Sequence, residues 1–173
     1  MGQESVLQRL REELERQQLT VATGESCTLG RVAASLGAPA GASGWLRGGI
    51  LAYHPELKVS LLGVPERLIA ERHVVSEEVA RAMARGAAER LGADLGLGTT
   101  GLAGPTGADE THPVGMICLG AWLRRPKGSP REVSLCLHLD GDRTANIEAA
   151  VEAMHQLAYS LITSDTSDAT IYY

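Results

Sequence analysis

The sequence predicts one α/β domain, a three-layer α/β/α sandwich around a mixed, mostly parallel sheet. Short β-prone runs alternate with amphipathic helical stretches, small residues punctuate the strand-to-helix turns, and one hairpin lies near the C-terminal end. At 173 residues the chain suits a single domain that buries its core without disulfide or metal support. Phe is absent and aromatics are 3%, so Leu, Val, Ile, Ala and Met must fill that core.

Taken in order, Val6, Leu7, Leu10 and Leu14 recur at helical spacing and predict a first amphipathic helix. Leu19 to Thr23 is a short β-prone run. The turn Gly24-Glu25-Ser26-Cys27-Thr28 leads from it into a helical stretch to Leu36, with Gly37 where a C-cap glycine belongs. Trp45 to Tyr53 reads as a second strand interrupted by Gly48-Gly49. Pro55 suits the first turn of a helix ending at Leu62 before Gly63, and Pro65 opens another short helix. Ser76 reads as an N-cap followed by Glu77 and Glu78, where a helix dipole favours acids. That helix carries Val79, Met83, Ala87 and Leu91 on one face and stops at Gly92. Leu95 to Thr100 predicts a strand, and Gly101 to Pro113 a loop without a period. Val114 to Arg124 and Glu132 to Leu139 predict a hairpin across Pro126-Lys127-Gly128-Ser129-Pro130. Asp142 caps a last helix striped by Ile147, Val151, Met154 and Leu161. The predicted domain spans 1–163, and 164–173 has no period and reads as a flexible tail.

Composition also excludes. A net charge of -5 argues against nucleic-acid binding, which needs a basic surface to displace counterions. No apolar run approaches the length of a membrane span, and the charged N-terminal stretch is unlike a signal peptide. Cys27, Cys118 and Cys136 are odd in number and far apart, which reads as free thiols in a reducing, cytoplasmic compartment. His54, His73, His112, His138 and His155 show no metal-ligand spacing, and no metal or cofactor is expected.

Four segments have the composition of chemistry. Glu25-Ser26-Cys27-Thr28 lies between a strand and a helix, where amides attract an anion or a developing oxyanion. There Ser26 is either a nucleophile or an N-cap. Thr28 stands where a nucleophile elbow needs its second glycine, and Leu29 where a Ser-x-x-Lys motif needs lysine, so neither familiar serine class fits. Arg47-Gly48-Gly49 precedes Tyr53 and Lys58, which a strand end and helix start can turn toward one pocket. A desolvated lysine serves as a base; a solvated helix lysine is the alternative. Thr99-Thr100-Gly101-Leu102-Ala103-Gly104-Pro105 follows a strand, where α/β domains bind ligands, or is a tight packing turn. Arg143, in Asp140-Gly141-Asp142-Arg143, either grips a phosphate at a helix start or belongs to a surface cap.

In order and spacing these segments resemble the CinA C-terminal-domain family. The resemblance also includes Leu62-Gly63-Val64-Pro65, Val75-Ser76-Glu77-Glu78-Val79-Ala80, Pro113-Val114-Gly115 and Gly141-Asp142-Arg143, and runs from about Leu19 to Leu161. It implies an often dimeric α/β/α domain that deamidates nicotinamide mononucleotide to the acid and ammonia, without cofactor. It further implies Ser26 as nucleophile, Lys58 as its base and Tyr53 as an assisting hydroxyl. Glu25, Cys27, Thr28, Gly30, Arg47, Gly48, Gly49, Thr100, Gly101, Ala103, Gly104 and Arg143 would contact the nucleotide. The sequence departs from the family at three turns. Leu29 stands for the first of two glycines, Pro55 for an asparagine two residues after the tyrosine, and Thr106-Gly107-Ala108 for a glycine run. The departures raise the alternative of a catalytically weak nucleotide-binding paralogue.

Overall fold

A computed structural model describes residues 5–164. Its helices are α1 (Val6–Gln17), α2 (Arg31–Gly37), α3 (Pro55–Leu62), α4 (Glu66–Arg72), α5 (Glu77–Leu91) and α6 (Arg143–Thr163). Its strands are β1 (Val21–Glu25), β2 (Leu46–Leu51), β3 (Leu95–Gly101), β4 (Met116–Leu123) and β5 (Arg131–His138), and they form one sheet in the order β2-β1-β3-β4-β5. β1 pairs in parallel with β2 and β3, while β4 runs antiparallel to both β3 and β5. Four strands therefore share one direction, although the pairings divide evenly between parallel and antiparallel.

Helices cover both faces. Leu10 and Leu14 of α1, Val32 and Leu36 of α2, and Ile147, Met154 and Leu161 of α6 share one apolar core with Leu95 and Leu97. On the opposite face Leu62 of α3 and Val79, Met83 and Ala87 of α5 pack over Ala22. Helix α5 lies unusually close to the sheet. A Cβ at Gly96 would come within 1.9 Å of the Ala84 carbonyl oxygen, and one at Gly98 within 2.2 Å of the Ala80 carbonyl oxygen. These glycines are required by contact with the helix backbone, and a period of two puts them on one face.

The predicted caps recur as expected. Ser76 accepts the Val79 amide, Asp142 accepts the Ala145 amide, and Gly63 and Gly92 end their helices in the left-handed region at φ 67° and 65°. Three readings need correction. The helix after Ser26 begins at Arg31, five residues later, because Gly30 rather than Ser26 is its N-cap residue. Gly37 is its last residue, not its cap. Cys118 and Cys136 are not free: they stand directly opposite in the β4–β5 ladder and form a disulfide, which leaves Cys27 as the free cysteine. Their sequence distance hid a cross-strand register that only the hairpin creates. Of the predicted tail, everything beyond Ser164 lies outside the described residues. Among those residues no helix is long and apolar enough to cross a membrane.

Candidate active site

The C-terminal end of β1 is where the chemistry collects. Ser26 directly follows that strand, its amide held by the Thr99 carbonyl at 3.1 Å and by Thr99 Oγ1 at 3.3 Å. The Ala52 amide donates to the Glu25 carbonyl at 2.9 Å, so the chain leaving β2 passes beside Ser26. Pro55 then opens α3 at a position where a missing N–H costs nothing. Helix side chains lean toward the helix N-terminus, and this carries the Lys58 ammonium back over the β2–α3 connection.

Lys58 is 1% exposed and Ser26 6%. Lys58 Nζ lies 2.9 Å from Ser26 Oγ, 2.8 Å from the Ala52 carbonyl and 3.0 Å from the Tyr53 carbonyl. Burial pulls the amine down from 10.5 to about 8, with the Glu56 carboxylate opposing the fall. Two carbonyls fix two N–H bonds, so the remaining position on nitrogen faces the serine. It holds a proton in the ammonium and a lone pair in the amine. Ser26 Oγ also reaches the Tyr53 carbonyl at 3.3 Å.

Around this pair the other candidates fall into three groups. Tyr53 contributes its backbone carbonyl to the pair, whereas its half-exposed ring turns outward and its hydroxyl accepts from Arg143 at 3.4 Å. Arg143 donates also to the Gly104 carbonyl at 2.8 Å. Tyr53, Gly104 and Arg143 thus form a rim beside the buried serine and lysine. Ala103 is buried, and its carbonyl accepts from Asn146 at 3.1 Å.

A second group supports the serine turn. Glu25 is buried, and its carboxylate accepts the Val32 and Ala33 amides at 3.1 and 2.9 Å and the Thr28 hydroxyl at 2.6 Å. It caps α2 from outside the helix, which occupies the amides that sequence reasoning left for a substrate anion. Thr28 is fully buried and pairs with Thr99 at 2.8 Å. Cys27 is buried too, and desolvation pushes its thiol up to about 12, so it remains a neutral thiol near neutral pH. Gly30 adopts φ 84°, and Leu29 before it φ 51°.

The third group lies elsewhere. Arg47 sits near the start of β2 and donates to the Leu91 carbonyl at 3.1 Å, at the far end of the sheet. Gly48 and Gly49 pair with Ala22 and Thr23 inside the sheet. Strand direction separates them from Ser26 even though Tyr53 follows soon after in sequence. Thr100 points to the α5 face and donates to the Val74 carbonyl at 2.8 Å, while Gly101 packs against Ile117. Thr99, not Thr100, meets the serine turn. The small residues Gly96 and Gly98 carried that signal, since they assign Thr100 to their own face.

Known proteins resemble this chain along most of its length. The profile of the CinA C-terminal domain matches residues 3–162. A CinA-like protein of Mycobacterium sp. (strain JLS) is 46% identical over 143 residues, covering 82% of this chain and 33% of the relative. The chain thus spans about a third of the length of such relatives. Among solved structures, a competence-damaged protein (CinA) superfamily protein from Klebsiella pneumoniae superposes with a TM-score of 0.82 at 26% identity, covering 91% of this chain and 95% of that one. A competence/damage inducible protein from Agrobacterium tumefaciens gives 0.81 at 28% identity, over 93% and 99%.

Proposed function

Since the chain belongs to the CinA C-terminal-domain family, we propose that it is an amidohydrolase that converts nicotinamide mononucleotide to nicotinic acid mononucleotide and ammonia. The observation that carries this reading is the buried Lys58 Nζ at 2.9 Å from Ser26 Oγ. A serine needs a base within hydrogen-bond reach, and an amine with a pKa lowered to about 8 is partly neutral near neutral pH.

In this mechanism neutral Lys58 takes the Ser26 hydroxyl proton as Oγ attacks the carboxamide carbon. The carbonyl π electrons move to oxygen, and that charge is stabilised by amides of the turn after Ser26 other than those of Leu29 and Arg31, which donate to the Ser26 and Thr28 carbonyls; Glu25 holds those of Val32 and Ala33. The tetrahedral species collapses as Lys58 returns the proton to the departing nitrogen, releasing ammonia and leaving an acyl-serine. Water, deprotonated by Lys58, attacks the ester and restores Ser26 with release of the acid. Arg143 at the rim supplies a cation, with the Tyr53 hydroxyl beside it, for the nucleotide's phosphate. Incubation with nicotinamide mononucleotide, with ammonia monitored, tests the reading. Ser26→Ala should abolish release while leaving the circular dichroism spectrum unchanged. Turnover undiminished in that variant overturns the serine mechanism.

A second reading has one observation behind it. Leu29 is 48% exposed in a left-handed conformation within the serine turn, so it presents bulk where a glycine would present backbone. This favours a weak, nucleotide-binding form of the same site. Binding of the mononucleotide with ammonia release near background would support it.

A further inference from the structure

Apart from Ser26 and Lys58, one cluster of donors has no role in the reading above. His73 follows α4, and Asp109 and His112 lie in the loop between β3 and β4; their ligand atoms all fall within 4.8 Å of one another. The two oxygens of Asp109 have different surroundings. Oδ1 accepts the Thr111 amide at 2.8 Å, the His112 amide at 2.8 Å and the Thr111 hydroxyl at 3.1 Å, which fixes the carboxylate plane. Oδ2 lies 3.5 Å from His73 Nε2, while His112 Nδ1 is shared between the two oxygens, 3.0 Å from Oδ1 and 3.2 Å from Oδ2. Ligand atoms around a tetrahedral ion bound at about 2.0–2.1 Å lie about 3.3 Å apart, close to the separations of Asp109 Oδ2 from His73 and His112, while the two imidazole nitrogens lie within 4.8 Å of each other. The Thr111 amide, followed by the His112 side chain, holds the Asp109 carboxyl well below the usual carboxylate range.

We propose that His73, Asp109 and His112 form a chelating site for a divalent late transition metal of the zinc, nickel or copper(II) class. Two imidazoles with one carboxylate match those ions, whereas magnesium and calcium demand oxygen ligands. Hydrogen bonds to Oδ1 orient the carboxylate as outer partners orient metal ligands elsewhere. Capture requires three adjustments, the first being that His112 Nδ1 gives up its contacts with the Thr111 hydroxyl at 2.8 Å and Asp109 Oδ1 at 3.0 Å. The rings are stacked at 3.6 Å with planes 21° apart, and they must turn so that their nitrogens converge. His73 Nδ1 accepts the Val75 amide at 3.1 Å. The neutral ring therefore carries its proton on Nε2, and coordination there moves it to Nδ1 and gives up that bond. His73 is the more exposed ring and His112 is largely covered, so His73 is the freer of the two to turn. A bound ion would staple the β3–β4 loop to the α4–α5 connection. The same loop holds Gly104, whose carbonyl anchors Arg143.

The full chain, stripped with a chelator and desalted, is titrated with Zn2+ against a chromophoric indicator, and with Co2+ while visible absorption is recorded. One equivalent should bind, and Co2+ should give the intense d–d bands of low coordination number. His73→Gln, Asp109→Asn and His112→Gln should each weaken binding by about 10-fold or more, with His54→Gln and His138→Gln unchanged. Circular dichroism establishes that each variant is folded. Absence of stoichiometric uptake, or equal affinity in the His73→Gln/His112→Gln double variant, overturns the site. The readout is binding, so its failure leaves the Ser26 reading untouched. Conversely, ammonia release should survive exhaustive chelation, because neither Ser26 nor Lys58 needs an ion.

Discussion

Lys58 converts its environment into a pH profile. Ammonium and amine occupy the same cradle of two carbonyls and one serine, and only the amine accepts the Ser26 proton. Turnover should therefore rise with pH through about 8 and level off above it, measured as ammonia release across a buffer series. The Glu56 charge raises the amine's pKa, so Glu56→Gln should move the midpoint to lower pH. A profile that falls through this range, or a midpoint indifferent to Glu56, would count against Lys58 as base. Lys58→Arg keeps the charge but cannot release its proton in this range, and should be nearly inactive. Leu29 poses a different question at the same scale. Its left-handed backbone costs about 1 kcal/mol relative to glycine, while glycine loosens the unfolded chain by about as much. Leu29→Gly should accordingly leave the denaturation midpoint almost unchanged and, by removing an exposed side chain beside Ser26, speed turnover. Pairing it with Pro55→Asn should add little, since Pro55 starts α3 without strain. A Leu29→Gly variant no faster than the parent would remove the weak-site reading.

Elements position these residues through their ends. The start of α2 is closed by Glu25 from the last position of β1, so the helix, the strand end and the serine turn are one hydrogen-bonded unit. Glu25→Ala strips two helix-start amides of their buried acceptor and should cost about 2 kcal/mol in urea unfolding. Because Ser26 hangs on the same unit, the rate should fall in Glu25→Ala even at temperatures where it is fully folded. A parental rate would show that the cap and the nucleophile are independent. Contact between α5 and β3 is similarly intolerant. Gly98→Ala forces Cβ onto the Ala80 carbonyl oxygen, so α5 must lift, at a cost of about 1–3 kcal/mol. The same helix backs Thr100 and Val74, yet Thr99 lies on the other face; stability should therefore suffer more than turnover.

Three helices meet across one face of the molecule at His155, which is 3% exposed. The Ser35 hydroxyl donates to the Val32 carbonyl at 2.8 Å and so accepts from His155 Nε2, also at 2.8 Å, joining α2 to α6. His155 Nδ1 then has no hydrogen-bond partner among the described residues, with the Glu152 carboxylate 3.8 Å away. Desolvation lowers the imidazole pKa below its ordinary value, with the Glu152 carboxylate opposing and Arg11 of α1 adding to the fall. The unfolded chain thus binds this proton more readily than the native one. Stability from this group is complete above an unfolded pKa of about 6.5 and declines as pH falls below it. Urea midpoints should drop between about pH 7.5 and 5, and His155→Gln should flatten that dependence. If the variant retains the full slope, the titrating group lies elsewhere.

Most of the architecture was legible in the sequence because it is local. Proline starts, glycine ends, Ser76 and Asp142 caps and the alternation of β5 are fixed by backbone sterics and side-chain periodicity within a few residues. The resemblance likewise singled out Ser26, Tyr53 and Lys58 from order and spacing. Which atoms meet was not legible. Sequence left Lys58 either solvated or desolvated, and only the packing of α3 against β1 buries it. It offered the Tyr53 hydroxyl, whereas the fold turns the Tyr53 carbonyl to the serine. Glu25 and Arg47 both stood in candidate motifs, but one caps a helix and the other lies at the opposite end of the sheet. Cys118 meets Cys136, and His73 meets Asp109 and His112, through strand register and loop return. Local rules act over a few residues along the chain; distances between far-separated side chains depend on how whole elements pack, and that the tertiary structure alone decides.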